Sequence, residues 1–244
     1  MTNLQSNKIN LKTFFFPLLL LTIGIGYSIY VVKFPQDKIV ANYVSYNKIF
    51  KSLGQHISLV AVSAGAAILV AVPMGILLTR TKFKRYANTV VSIVNIGQTV
   101  PSLAILALFV GIFGVGFKSG VFALWVYSLL PILNNTLAGI LGVEKSILEA
   151  ARGMGMTHSR ILAKIEVPLA FPVIMAGIRT AVTINIGTAT LAAFIGAGGL
   201  GDLIIAGNNI NRWQIVILGA LLSALLAILT DYLMNILEVV SKNK

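Results

Sequence analysis

The sequence predicts an all-α membrane protein, a polytopic bundle of about six transmembrane helices with both termini in the cytoplasm. Composition sets the solvent: 57% of the 244 residues are hydrophobic and 11% charged, with a mean hydropathy of +0.90. Soluble domains average roughly 45–50% apolar and about 25% charged residues. The apolar residues gather into six stretches, each close to the length, about 20 residues, at which a helix crosses a hydrocarbon core of about 30 Å. Between these stretches the cations alternate in density, and that alternation orients the spans.

The first stretch, Thr13 to Val32, follows Lys8 and Lys12. A cleaved signal peptide begins the same way, but its apolar region is only about 7–15 residues long and ends in an Ala-x-Ala site. Here the apolar run continues from Phe14 past Tyr30 with no such site after it, so a retained helix is expected. Lys33 to Gln55, with Pro35 and several Asn and Lys, reads as an outer connection, in part helical. Ile57 to Thr79 is the second span, and the RTKFKR run from Arg80 to Arg85 sets four cations in a very short loop behind it. The third span runs from Ala87 to Phe113 and the fourth, which holds Pro131, from Ser119 to Leu141. Pro172 to Gly196, rich in small residues, is the fifth, and Trp213 to Leu237 the sixth. With both termini inside, the inner segments carry twelve Lys and Arg against six outside, and Arg179 lies within a span. Cations collect on the cytoplasmic side, which selects this orientation. The expected division is residues 1–56, the first helix with its outer loop, and residues 57–240, a five-helix transmembrane domain with a cytoplasmic loop at 144–168.

That loop contains a polar, basic island, Glu149 to Pro168, between long apolar runs. Ala150 and Ala151 keep one helix face thin enough for another protein surface to approach, while Glu149 offers a carboxylate to backbone donors or a cation. Gly155 lets the chain reverse, because glycine alone takes positive φ cheaply. Thr157 can cap a second short helix that sets Ile161, Leu162 and Ile165 on one face beside Arg160 and Lys164. Pro168 is expected to stop it. An amphipathic hairpin lying on the inner leaflet would share these features.

Several functions are excluded or demoted. The chain has no cysteine, so disulfides, thiolate metal sites and cysteine nucleophiles are absent, and two histidines, His56 and His158, cannot form a metal cluster alone. The net charge of +12 reads as cationic loops facing anionic lipid, with no nucleic acid as partner. Gly196, Gly198 and Gly201 satisfy G-x-G-x-x-G, but the run follows a membrane span and lacks an acidic residue about 20 positions on. A turn at the outer end of the fifth helix, flexible and open to close backbone approach, is the better reading. No G-x-x-x-x-G-K-[ST] occurs, so ATP hydrolysis, with its magnesium, must come from a partner.

The spacing of the island, Glu149-Ala150-Ala151, three residues, Gly155, nine residues, then Ile165 and Pro168, resembles the EAA loop of permease subunits of binding-protein-dependent ABC importers. Gln98 to Phe109 (QTVPSLAILALF), GIRTA from Gly177, IGAGGLGDLI from Ile195 and Asp231 in LTDYL are similar to permeases for osmoprotectants such as glycine betaine, carnitine and choline. The likeness covers about residues 50 to 240 and implies a type I importer (MetI-like) fold. It implies an assembly with a cytoplasmic ABC ATPase dimer, a second permease that is a copy or a paralogue, and an extracytoplasmic substrate-binding protein. Glu149, Ala150, Ala151, Gly155, Ile165 and Pro168 would couple to the ATPase. The turn Gly196, Gly198, Gly199 and Gly201 would face the binding protein as an outer gate, and no metal or cofactor would be held by this chain itself. Methionine or another amino acid is the alternative cargo, and a secondary transporter or channel working without ATP the alternative of another class.

Polar residues within spans are candidates for the pathway. Thr180, Thr183, Gly187 and Thr190 recur on one face of the fifth span, and Asn95, Gln98, Thr99 and Ser102 cluster in the third. Asn134, Asn135 and Thr136 follow Pro131 in the fourth. Small and hydroxylated residues also glue membrane helices together. Arg179 and Asp231 are the ionisable groups assigned within spans; both lie towards the cytoplasmic side, where a structural ion pair or snorkelling to the inner interface is favoured over a proton relay. A quaternary ammonium would require aromatic faces, but Trp125, Tyr127 and Trp213 are expected as interface anchors.

Overall fold

A computed structural model describes residues 11–242, and the side chains of residues 15–238. Lys8 and Lys244, and the side chains of Lys12 and Lys242, lie outside the described residues. The elements are α1 (Leu11–Lys33), α2 (Lys38–Tyr43), α3 (Tyr46–Leu78), α4 (Ala87–Thr99), α5 (Ser102–Phe113), α6 (Phe117–Leu141), α7 (Lys145–Gly153), α8 (His158–Ile161), α9 (Val167–Ala189), α10 (Gly201–Asn209) and α11 (Trp213–Lys242). No strand occurs among the described residues. Five helical runs are long and apolar enough to span a membrane, and α4 with α5 makes a sixth, broken one.

The bundle is built on α3, α6 and α9, which pack on one another along their lengths. Gly177 permits the closest crossing: a Cβ there would lie 2.5 Å from the Asn135 Cβ and 2.7 Å from the Pro131 carbonyl. One apolar layer joins Leu59, Leu106, Leu124 and Ile186, and a second joins Ala67, Ile132, Leu133 and Ile174. Between the layers the buried Asn185 of α9 donates to Ser63 of α3 at 3.1 Å and Ser128 of α6 at 2.6 Å. Both hydroxyls return their protons to carbonyls one turn back on their own helices, so the amide locks the register of all three helices.

Proline accounts for several departures from the expected spans. Pro101 lacks an amide proton and forces Val100 into extended backbone (φ −71, ψ 133), so the third span breaks there and α5 turns by 99° from α4. Pro131 sits inside α6 and leaves the Tyr127 carbonyl without its helical donor. The Gln98 amide fills that vacancy at 2.7 Å, and the Tyr127 hydroxyl bonds back to the Val100 carbonyl. This pair of bonds holds the α4–α5 elbow on α6. Tyr127 is therefore a buried strut and not the interface anchor expected, whereas Trp213 is 71% exposed.

Pro168 does not end the second helix of the basic island. A wide π-turn at Leu162–Glu166 opens the ladder just before it, and the helix runs on from His158 to Ala189 as one span. The fifth span thus starts earlier than Pro172 and ends before Gly196, closing through a 3-10 turn at Leu191–Ile195. The second span starts at Tyr46 rather than Ile57, capped by the Ser45 hydroxyl on the Lys48 amide at 3.2 Å. Much of the expected outer loop is consequently helix.

The added helix α1 lies along α11. Its end is clipped by Gln214, which accepts from the Gln36 amide at 2.8 Å and donates to the Phe34 carbonyl at 3.0 Å. Asp37 caps α2 through the Val40 amide at 2.9 Å and forms an ion pair with Arg212.

Candidate functional site

The basic loop folds as two short helices joined by a tight reversal. In α7 the buried Ala151 faces the bundle, and Ser146, Glu149, Ala150 and Gly153 form the exposed opposite side. The Gly155 amide bonds to the Arg152 carbonyl at 2.9 Å and the Met156 amide to the Ala151 carbonyl at 3.1 Å. Those paired bonds, with φ of +79° at Gly155, form a Schellman ending that the expected glycine supplies. Thr157 occupies the cap of α8 without a side-chain bond. Ile165 is half-buried and Pro168 exposed. Glu149 has no partner among the described residues, so its carboxylate is free to meet one from outside.

Behind α7 lies a cavity of about 440 Å³, lined by Arg80, Lys145, Arg152, His158 and Glu166 among others. Glu166, buried on the π-turn, pairs with Arg80 at the end of α3. That contact ties the RTKFKR loop to the base of the long helix. Glu166 is absent from the residues that motif spacing singles out; its signal in the sequence is an acid in a basic segment at the mouth of a span.

Arg179 of α9 and Asp231 of α11 form the expected ion pair, with Nε to Oδ1 at 2.6 Å and Nη2 to Oδ2 at 2.7 Å. Asn235 accepts from Nη1 at 2.9 Å, and Glu238 lies 3.8 Å from it. These two belong to the same face of α11, one turn and two turns on, but Glu238 fell just beyond the expected end of the span. Thr180 and Thr183 share a shallow pocket with this pair. Thr180 and Thr190 return their hydroxyl protons to carbonyls of their own helix.

The pathway candidates of the third span do not converge in one pocket. Gln98 is committed to Tyr127, Thr99 is exposed at the elbow, and Ser102 opens α5. With Thr99, the residues Asn88, Ser92 and Asn95 form an exposed polar stripe at helical spacing along α4. No residue of α4 is buried.

At the end of the bundle opposite the basic loop, most of the glycine-rich turn is packed into the bundle. Gly198, Gly199 and Gly201 are buried, and a Cβ at Gly201 would fall 2.0 Å from the Thr190 carbonyl. Gly196, at φ +66°, closes the 3-10 turn, and the adjacent Ile195 carbonyl accepts from the Gly116 amide at 2.8 Å. Its floor is Gln55 and His56, which lie on α3 and not in the outer connection expected before the second span. Among the described residues no cluster of metal-binding side chains occurs.

Comparisons with known proteins agree with this geometry. The choline transport system permease protein OpuBB of Bacillus subtilis (strain 168) is 52% identical over 182 residues, 75% of this chain and 82% of that one. The glycine betaine/carnitine/choline transport system permease protein OpuCB of the same organism is 51% identical over 187 residues, 76% of this chain and 84% of the relative. The osmoprotectant import permease protein OsmY of Salmonella typhimurium is 47% identical over 183 residues, 75% and 78% of the two chains. Among solved structures, an inward-facing form of the MetNI methionine ABC transporter matches with a TM-score of 0.74, covering 81% of this chain and 99% of that one at 20% identity, a likeness of fold. Residues 71–239 match the family described as binding-protein-dependent transport system inner membrane component. The chain belongs to that family and is a multi-pass membrane permease subunit of an ABC transporter.

Proposed function

We propose that this permease moves a quaternary-ammonium osmoprotectant, of the glycine betaine, choline and carnitine class, into the cell on energy supplied by a separate ABC ATPase dimer. The observation that carries the substrate class is the 52% identity to a choline permease, sustained over 182 residues. The ATPase engages the exposed side of α7, where Glu149 and Ala150 stand free, through the segment ending at Gly155, Ile165 and Pro168. One continuous helical run, His158–Ala189, with the π-turn near its start, then carries movement of the loop to the glycine-rich turn at Gly196, Gly198, Gly199 and Gly201. There an extracytoplasmic substrate-binding protein delivers the cargo.

The exposed polar stripe of α4, ending at Thr99, cannot face lipid cheaply. Together with Gln98, Ser102, Thr183 and Thr190 it borders a pathway closed by a second permease, a copy or a paralogue. On this reading α1 and α2 are an addition whose long helix is braced on α11, and the translocating domain begins with α3 at Tyr46, ahead of the expected boundary at 57, and runs to about residue 240.

The test is uptake of radiolabelled choline, glycine betaine and carnitine by proteoliposomes holding the permease, its ATPase and its binding protein, with unlabelled methionine as competitor. Uptake of at least one osmolyte that needs ATP and ignores methionine is expected. Competition by methionine and none by the osmolytes would overturn the substrate class.

A further inference from the structure

His56 lies on α3 at the end of the bundle opposite the basic loop, fully buried between two segments that a coupling path must connect. Its Nε2 is 3.0 Å from the Ile186 carbonyl of α9, and the Leu200 amide of the glycine-rich turn reaches Nδ1 at 3.3 Å. A carbonyl only accepts and an amide N–H only donates, so the ring is neutral with its proton on Nε2. Neither contact is incidental to the backbone. In a continuing α-helix the Thr190 amide would bond to the Ile186 carbonyl, but it bonds to Gly187 at 3.3 Å instead, leaving Ile186 for the ring. The turn, for its part, is pressed onto α3: the Gly199 amide bonds to Gln55 Oε1 at 3.4 Å, and a Cβ on Gly199 would lie 3.0 Å from His56 Nδ1. With φ of +99° at Gly199, only glycine fits both the conformation and the gap.

We propose that His56 is a positioning residue of the outer gate. By holding the end of α9 through one nitrogen and the glycine-rich turn through the other, it makes the turn follow the helix. It touches no substrate. The proposal rests on the importer reading above, and its test is chosen so that the two fail separately.

The complete assembly is reconstituted with His56→Asn, His56→Gln or His56→Leu. Asn places a polar atom where Nδ1 stands and can still accept from Leu200; Gln reaches the position of Nε2 and can still donate to Ile186; Leu fills space and does neither. Expected is a loss of about tenfold in binding-protein-stimulated ATP hydrolysis and uptake for Leu and Gln, the size of one lost hydrogen bond to the turn. Asn should stay within about threefold of wild type, because α9 remains packed on α3 without the ring's bond to Ile186 while the turn keeps its hold, and hydrolysis without the binding protein should be unchanged in all three. Should Leu fail to insert, the Asn and Gln pair decides alone. Equal activity of Asn and Gln, or losses that appear equally without the binding protein, would overturn the role of His56. A wild-type assembly that transports without ATP would instead overturn the importer reading.

Discussion

The guanidinium of Arg179 and the carboxylate of Asp231 meet edge to edge through two parallel hydrogen bonds of 2.6 and 2.7 Å, joining α9 to α11. Bidentate pairs of this kind fix geometry as well as energy. Both side chains remain partly exposed, so Asp231→Asn should lower unfolding stability by only about 1–2 kcal/mol. Thermal unfolding of the detergent-solubilised protein checks this. Uptake in that variant should remain ATP-dependent and indifferent to an imposed proton gradient; a gradient-driven component lost with Asp231 would make the pair a proton relay instead.

Gly155 closes α7 at φ +79° with open space around its missing Cβ. Strain there is purely a backbone matter, about 1–2 kcal/mol for an ordinary side chain in the left-handed region. Gly155→Val should therefore insert normally but lose most transport-coupled ATP hydrolysis, while Gly155→Asn, which tolerates that region, keeps most of it. Equal coupling in both variants would show that the reversal does not matter to transport.

The reciprocal bonds between Gln98, Tyr127 and Val100 make the tyrosine hydroxyl a strut for the α4–α5 elbow. Tyr127→Phe leaves the Val100 carbonyl unpaired in an apolar setting and should cost about 1–2 kcal/mol of stability. Uptake should fall with it. An unchanged unfolding temperature would mean that the proline break alone sets the elbow.

The Val40 amide holds the Asp37 carboxyl below the usual carboxylate range, with Arg212 adding to the effect and burial opposing it. A lowered folded value means that the contribution to stability is present above the ordinary carboxylate pKa and disappears as pH falls through the lowered one. Asp37→Asn should accordingly melt below wild type at pH 7, and the gap should shrink as the solution is acidified below the ordinary carboxylate pKa and through the lowered one. A gap independent of pH would contradict this origin.

The spans and the basic loop were legible because apolar length and motif spacing are local properties. Gly155 is the clearest case, since a reversal at that point demands glycine whatever surrounds it. Apart from the Arg179–Asp231 pair, long-range partners were not legible. His56 looked like a loop residue because polar Lys, Ser and Gln precede it on what is in fact α3, and its two backbone partners lie far along the chain. Tyr127 looked like an interface anchor because, although Pro131 frees the carbonyl four residues before it, nothing local reveals that Gln98 fills that vacancy and that the ring is buried. Pro168 misled in the other direction: proline often stops a helix, but here a π-turn opens the ladder just before it and the helix continues.

The central claim is that the side of α7 bearing Glu149 is where the ATPase drives the permease. Glu149→Lys in the complete assembly tests it most directly, by measuring the ATPase that co-purifies and the ATP-dependent osmolyte uptake at equal membrane insertion. The account predicts that both fall together, by about tenfold or more for reversal of an interfacial charge. Undiminished ATPase and undiminished uptake would contradict it.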